Sequence, residues 1–295
     1  MSRARLRDSL AQSWSQLAEP VDRSNIEFFR IVFGAVMVWE VCRYLAFGWV
    51  DDYSSPAAHL HYPFFEWVQP LPTDQLVVFF IGMGILGSMI CIGFLTRLAA
   101  IAFCVGFVYW FNLEATDYLN HLYLVGLLSF LVAVLPLGRS LSIDALLFPR
   151  RARPTAPRWT LEILRWQVGL VYFFGGVAKL NPDWLQAQPM LDWLDDYCLR
   201  EWPGELIAQQ ESAWAISYGG LLLDLVAFPL LMWRRSRVPI AIFLVGFHLS
   251  NDWLFQIGIF PWLMMGALLL FMDPDWFTRL RAWIVIRLGR SAPPS

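Results

Sequence analysis

The chain has one lysine against 21 arginines, and that lysine lies where a charge is costly: Lys179, within the apolar run RWQVGLVYFFGGVAKLNPDW. Arginine stays protonated in proteins, whereas a desolvated lysine amine can give up its proton and act as a base. Ionisable groups at membrane depth are candidates for function by default. The competing reading is a lysine near a helix end whose ammonium snorkels to the headgroups. Two of the four histidines, His121 and His248, stand beside carboxamides, in NHLYLVG and FHLSND. Asn120 precedes His121, and Asn251 follows His248 by three positions, which puts the latter two on one helical face. An imidazole and a carboxamide can donate hydrogen bonds to a developing oxyanion. Each also has a structural reading. His121 can be an interfacial helix cap, and His248 with Asn251 can bond backbone freed at a helix break. Two histidines without a carboxylate at ligand spacing are a weak metal signal, so no metal is expected.

The elements that must position these groups are membrane helices. Hydrophobic residues make up 58% of the chain, charged residues 16%, and mean hydropathy is +0.50. This composition suits a polytopic membrane protein and excludes an ordinary soluble domain. The fold class expected is therefore all-α, an integral membrane protein of about eight transmembrane helices with ordered outer loops. Eight apolar spans, at about 28–47, 76–95, 97–113, 119–137, 160–180, 214–233, 238–254 and 256–272, approach the ~20 residues needed to cross the hydrocarbon. The last two share one apolar stretch and read equally as one long broken helix.

Charge placement gives an orientation. Arg3, Arg5 and Arg7, Arg97, Arg150, Arg151 and Arg153, Arg234, Arg235 and Arg237, and Arg279 and Arg281 fall in alternate connections. The other connections are acidic, with Asp51, Asp52, Glu66, Glu114, Asp117, Asp183 and Asp192; Arg200 departs from the pattern. The positive-inside rule then puts both termini in the cytoplasm and the long loops outside. Residues 1–27 read as a cytoplasmic segment with a surface-lying amphipathic helix, 28–275 as one transmembrane domain, and 276–295 as a cytoplasmic amphipathic tail. The outer loops, about 48–75 and 181–213, are rich in Trp, Pro and Tyr and read as a cap folded onto the membrane surface.

In this topology Asn112, Glu114, Asp117, Asn120, His121, Lys179, Asn181, Asp183, His248, Asn251 and Asp252 gather near the outer ends of the spans. Unpaired polar groups there are expensive, so they should pair or line a wet cavity. Glu114 and Asp117 read as solvated loop acids, and Glu40 with Arg43 as an intrahelical ion pair. Asp224, in GGLLLDLVAF, is deeper, and reads as protonated or bonded to a neighbouring helix. Cys42, Cys91 and Cys104 read as apolar packing residues, and Cys198 has no evident partner. Nothing has the form of a Walker loop, a dinucleotide fingerprint or a nucleophile elbow.

Six segments in order carry a resemblance. They are FFRIVFG, YPFFEWVQPLP, NHLYLVGLLSF, VYFFGGVAKLNPDW, GGLLLDL and FHLSNDWLFQIGIFPW. From about Phe28 to Trp276 the chain resembles the transmembrane domain of vitamin K-dependent γ-glutamyl carboxylase, the horizontally transferred transmembrane (HTTM) domain. The resemblance implies reduced vitamin K or menaquinol as cofactor, with oxygen and carbon dioxide as co-substrates. It implies that Lys179 deprotonates the hydroquinone, whose reaction with oxygen gives a base strong enough to take a γ-proton from glutamate. Carboxylation and release of the quinone epoxide follow. His121, with Lys179, is the implied catalytic pair, and Asn120 lies by the quinone head. His248, Asn251 and Tyr172 are further cofactor-binding candidates. Tyr172, Phe173 and Phe174 offer apolar walls to an isoprenoid quinone, or packing surface.

Two departures matter. Ala178 precedes Lys179 where the family has a lysine pair, and these 295 residues hold no counterpart of the family's large lumenal domain. The expectation is a short bacterial-type homologue in the inner membrane, with its active site toward the outer face. Its partners would be the bilayer, an isoprenoid quinone, and a peptide substrate or separate soluble partner, with no nucleic acid. The alternative is a non-enzymatic membrane scaffold or partner subunit that keeps the fold.

Overall fold

The computed structural model describes residues 14–53, 60–197 and 209–287. Residues 1–13 of the expected surface segment 1–27, Cys198, Arg200, parts of both outer loops (54–59 and 198–208) and the end of the tail (288–295) lie outside the described residues. The chain is mainly helical and divides into two compact units, Met1–Leu164 with Met272–Ser295, and Arg165–Phe271.

In the first unit a short strand β1 (Pro20–Asp22) leads into α1 (Ser24–Ala46), α2 (Trp49–Asp52), α3 (Thr73–Ile92), α4 (Thr96–Phe111) and α5 (Asn120–Val134). Then come α6 (Ile143–Leu147), β2 (Thr155–Pro157) and the start of α7 (Arg158–Ala178). β2 pairs antiparallel with β1, Val21 opposite Ala156. The second unit takes up α7 from Arg165. It continues with α8 (Pro182–Leu185), α9 (Gln188–Tyr197), α10 (Gln210–Met232), α11 (Arg237–Phe255), α12 (Phe260–Ala267) and a 3₁₀ segment, Leu268–Phe271. Helix α13 (Trp276–Arg287) belongs to the first unit and stacks Phe277 on Phe28 of α1 at 3.5 Å between ring centroids.

All eight apolar stretches contain helix. Three helices, Thr73–Ile92, Gln210–Met232 and Arg237–Phe255, are long and apolar enough by themselves to cross a bilayer. Helices α4 and α5, with 16 and 15 residues, are shorter. The stretch 238–272 is two helices. Gln256 (φ 47°) and Gly258 (φ 68°) take left-handed conformations between them, and the chain folds back so that Phe260 meets the His248 ring at 5.9 Å. Helix α12 with its 3₁₀ extension covers 12 residues, a length of only about 20 Å.

The first unit is held by a buried charge cluster that the sequence reading left unassigned beyond its motif. Arg30, fully buried, donates Nε to Glu27 Oε2 at 2.8 Å, and its remaining donors reach the carbonyls of Ile90, Cys91 and Leu141. Glu27 also accepts from Arg23 and from the backbone N–H groups of Gly138 and Arg139. One guanidinium thus ties α1 to the end of α3 and to the loop after α5. Removing it would leave a buried carboxylate and three carbonyls short of partners. Desolvation holds the Arg23 guanidinium below its ordinary range even with Glu27 beside it. Helices α1 and α3 cross at Gly34, where an added Cβ would lie 2.5 Å from the Cys91 nitrogen, so only glycine allows this approach.

Candidate functional site

Helix α7 ends in GGVAK, and its glycines bring α10 close. A Cβ on Gly176 would lie 2.9 Å from the Leu225 nitrogen, and one on Gly169 would overlap the Phe228 ring at 2.2 Å. A Cβ on Gly175 would meet Asp224 Oδ2 at 3.3 Å. This crossing sets the depth at which α10 presents Asp224. Lys179, one residue beyond α7, donates Nζ to Asp224 Oδ2 at 2.7 Å and to the Gly175 carbonyl at 3.3 Å. The lysine side chain is 21% exposed and the aspartate side chain 9%. Asp224 is thus bonded across to a neighbouring element, as one of its two sequence readings expects. Its partner is the lysine itself.

The Trp184 ring covers the ammonium, 5.0 Å from Nζ to the centroid. Asn181 fixes that ring's segment. Its Oδ1 caps α8 at the Trp184 N–H, and its Nδ2 donates to the Ala178 carbonyl. The Trp184 indole in turn donates to the Ser217 carbonyl, two turns before Asp224 on α10. Ser217 is fully buried and its hydroxyl has no hydrogen-bond partner among the described residues.

Tyr172, two turns before Lys179 on α7, is buried, and its hydroxyl lies 2.8 Å from His248 Nε2. His248, 1% exposed, keeps Nδ1 without a partner among the described residues. Asp224 acts electrostatically on the Tyr172 hydroxyl, so the two polar pairs are neighbours. Which of the Tyr172 and His248 groups donates is set by the imidazole tautomer. The second unit therefore brings together Lys179, Tyr172 and His248 from the residues singled out by sequence. It adds Asp224, Ser217 and Trp184. Asn251 is half-buried one turn beyond His248 on α11. Phe173 and Phe174 are exposed, so of the three consecutive aromatics only Tyr172 points inward. The reading that His248 bonds backbone at a helix break is replaced by a side-chain partner, the Tyr172 hydroxyl.

Asn120 and His121 belong to the first unit. Asn120 is exposed as the first residue of α5, and His121 is half-buried, within electrostatic reach of the Arg43 guanidinium. Arg43 makes the expected i, i+3 pair with Glu40, at 2.6 Å, and lies over the Trp49 ring. Below it is a network absent from the sequence reading. The Trp110 indole donates to the Tyr53 hydroxyl at 3.3 Å, and Tyr53 is also hydrogen-bonded to Tyr44 and to Asp117. Burial pushes the Tyr53 phenol far above its ordinary range. Partial desolvation, with Glu114 and Asp52 close by, raises the Asp117 carboxyl. Glu114 is not simply solvated. Its carboxylate accepts from the N–H of Leu60 and from the N–H and hydroxyl of Thr116, stitching the outer loop to the end of α4. The loop is further held where Tyr109 hydroxyl donates to the Gln69 carbonyl.

The sequence matches the HTTM domain over residues 18–276. The chain belongs to the HTTM domain family. Membership and the long apolar helices together make it an integral membrane protein. No solved structure matches the chain. Within this HTTM domain the Lys179–Asp224 and Tyr172–His248 pairs come from three helices that are separate in sequence, α7, α10 and α11.

Proposed function

We propose that this HTTM protein is a vitamin K-dependent γ-carboxylase-like membrane enzyme that deprotonates a reduced naphthoquinone for oxygen-dependent epoxidation, coupled to glutamate carboxylation. The observation that carries the reading is the Lys179–Asp224 pair, half-sheltered at 2.7 Å. A naphthoquinol, when bound, supplies with oxygen the strongly basic species that no side chain can provide. The residues here supply its first proton transfer. A hydroxyl of pKa ~10 is poorly ionised at neutral pH, so the acceptor must be close and dry.

The pair acts as a base in the form that holds its one shared proton on Asp224, because the free Lys179 amine can then take the quinol proton and end as ammonium beside carboxylic acid. The base is then Lys179, with Asp224 orienting Nζ. The orphaned Ser217 hydroxyl and His248 Nδ1 fit a ligand with oxygens at two positions, since each needs a partner in a dry site. Tyr172 holds the His248 ring in place. For His121 and Asn120 the support is the resemblance, together with the half-buried position of the imidazole near Arg43.

Eight crossings, both termini in the cytoplasm of a bacterial cell and a site toward the outer face are part of the same proposal, supported by the alternation of arginine-rich and acidic connections. The deciding experiment supplies purified protein with reduced vitamin K or menaquinol under oxygen. Epoxide should form, and Lys179→Ala should abolish it. Absence of epoxide from wild type would overturn the reading.

A further inference from the structure

A cavity of the first unit is far in character from the Lys179 pair. It has a volume of about 540 Å³ and lies among the connection between α3 and α4, the loop after α5, and the stretch from α6 to Arg153. Five arginines line it: Arg97, Arg139, Arg150, Arg151 and Arg153. The one carboxylate in the lining, Asp144, is already engaged. Its Oδ1 accepts from the Leu95 N–H, and its Oδ2 from the N–H and hydroxyl of Thr96, capping α4. Among the described residues none of the five guanidinium groups makes an ion pair. Arg153 donates to the backbone carbonyls of Arg150 and Ala152, and Arg151 rests over the Phe148 ring. Five like charges around one concavity repel one another unless an anion sits among them.

We propose that this cavity binds the phosphate headgroup of an anionic phospholipid. Guanidinium is the side chain best matched to phosphate, through paired N–H donors. The rim says which phosphate. Leu98 and Phe148, which line the cavity, are exposed, as are Leu146 and Leu147 just before Phe148 in the chain. Apolar side chains around a basic concavity at the end of apolar helices suit acyl chains below a headgroup, not a soluble anion. The arginine-rich connections are also those expected on the cytoplasmic side, where anionic lipid is attracted by basic clusters.

The test follows tryptophan fluorescence during melting of the full chain in zwitterionic detergent, titrated with phosphatidylglycerol, phosphatidylcholine or inorganic phosphate. Phosphatidylglycerol should raise the melting temperature saturably, and the other two should not. The triple variant Arg97→Gln/Arg139→Gln/Arg150→Gln should need roughly tenfold more phosphatidylglycerol or above. Arg235→Gln, an exposed arginine of the second unit, should titrate as wild type. Equal response of the triple variant, equal loss in Arg235→Gln, or an equal shift with inorganic phosphate alone would each overturn the proposal. Should the triple variant not fold, the wild-type shift must still vanish in high salt, and a salt-insensitive shift overturns it.

Discussion

Lys179 and Asp224, 45 positions apart, meet at 2.7 Å where α7 and α10 cross on glycines. The pair answers the cost of two ionisable groups at membrane depth, because each supplies what the other lacks. It also separates charge from basicity. In Lys179→Arg the guanidinium can keep the ion pair but cannot release a proton. Epoxide formation should fall by on the order of 10²–10⁴-fold, while the melting temperature stays near wild type. Equal activity in Lys179→Arg would mean that Lys179 is not the base.

Lys179→Met should behave differently, leaving Asp224 buried without its cation. A cost of about 3–5 kcal/mol is expected for breaking such a pair from one side. The double variant Lys179→Met/Asp224→Leu should recover much of that stability and none of the activity. Denaturant melts of the two variants in one detergent check the first part, and the epoxide assay checks the second.

Tyr172 holds His248 through a single hydrogen bond in a buried setting. Tyr172→Phe keeps the ring and removes the hydroxyl, so His248 Nε2 joins Nδ1 in having no partner among the described residues. Destabilisation of about 1–3 kcal/mol is expected. If the imidazole also faces quinol, the KM for quinol should rise more than kcat falls. A change in stability without a change in KM would assign the pair to packing alone.

Much of this was legible in the sequence because the signals were local. Apolar runs located the helices, and a lone lysine in GGVAK stood out against 21 arginines. The i, i+3 relation of Glu40 and Arg43 needed only helix geometry. Partners far apart in sequence were not legible. Nothing in GGLLLDLVAF says that Asp224 reaches Lys179, since that depends on how closely Gly175 and Gly176 let α10 approach. Tyr172 and His248 are 76 positions apart, and the Tyr53 network joins α4 to α1, to the loop before α3 and to the loop after α4. Glu114 looked solvated because its partners are the backbone N–H groups of Leu60 and Thr116, which any sequence offers, and a hydroxyl two residues on.

Arg30 tests the buried cluster of the first unit. Its guanidinium serves Glu27 and three carbonyls at once, a geometry that a single ammonium cannot reproduce. Arg30→Lys should therefore cost several hydrogen bonds despite keeping the charge, and Arg30→Met more, at about 3–5 kcal/mol. Yield of monodisperse protein and its melting temperature should follow the order wild type, Lys, Met. An Arg30→Lys protein as stable as wild type would show that the carbonyl contacts contribute little.

Asp117 gives a prediction in pH. Its folded carboxyl titrates above the ordinary value of 3.8, through partial desolvation first and then Glu114 and Asp52. The folded state thus holds the proton more tightly than the unfolded chain does. Stability from this group is fully present below the unfolded value and is lost as pH rises through the higher folded one. At neutral pH the ionised Asp117 works against folding, although Tyr53 bonds to it. Asp117→Asn keeps an acceptor for Tyr53 and cannot ionise, so it should melt higher than wild type at pH 7. That advantage should shrink as pH falls toward the ordinary carboxylate range, where the wild-type residue is also neutral. Melting both proteins between pH 4 and pH 7 tests the sign, and an Asn variant that gains stability relative to wild type as pH falls would contradict it.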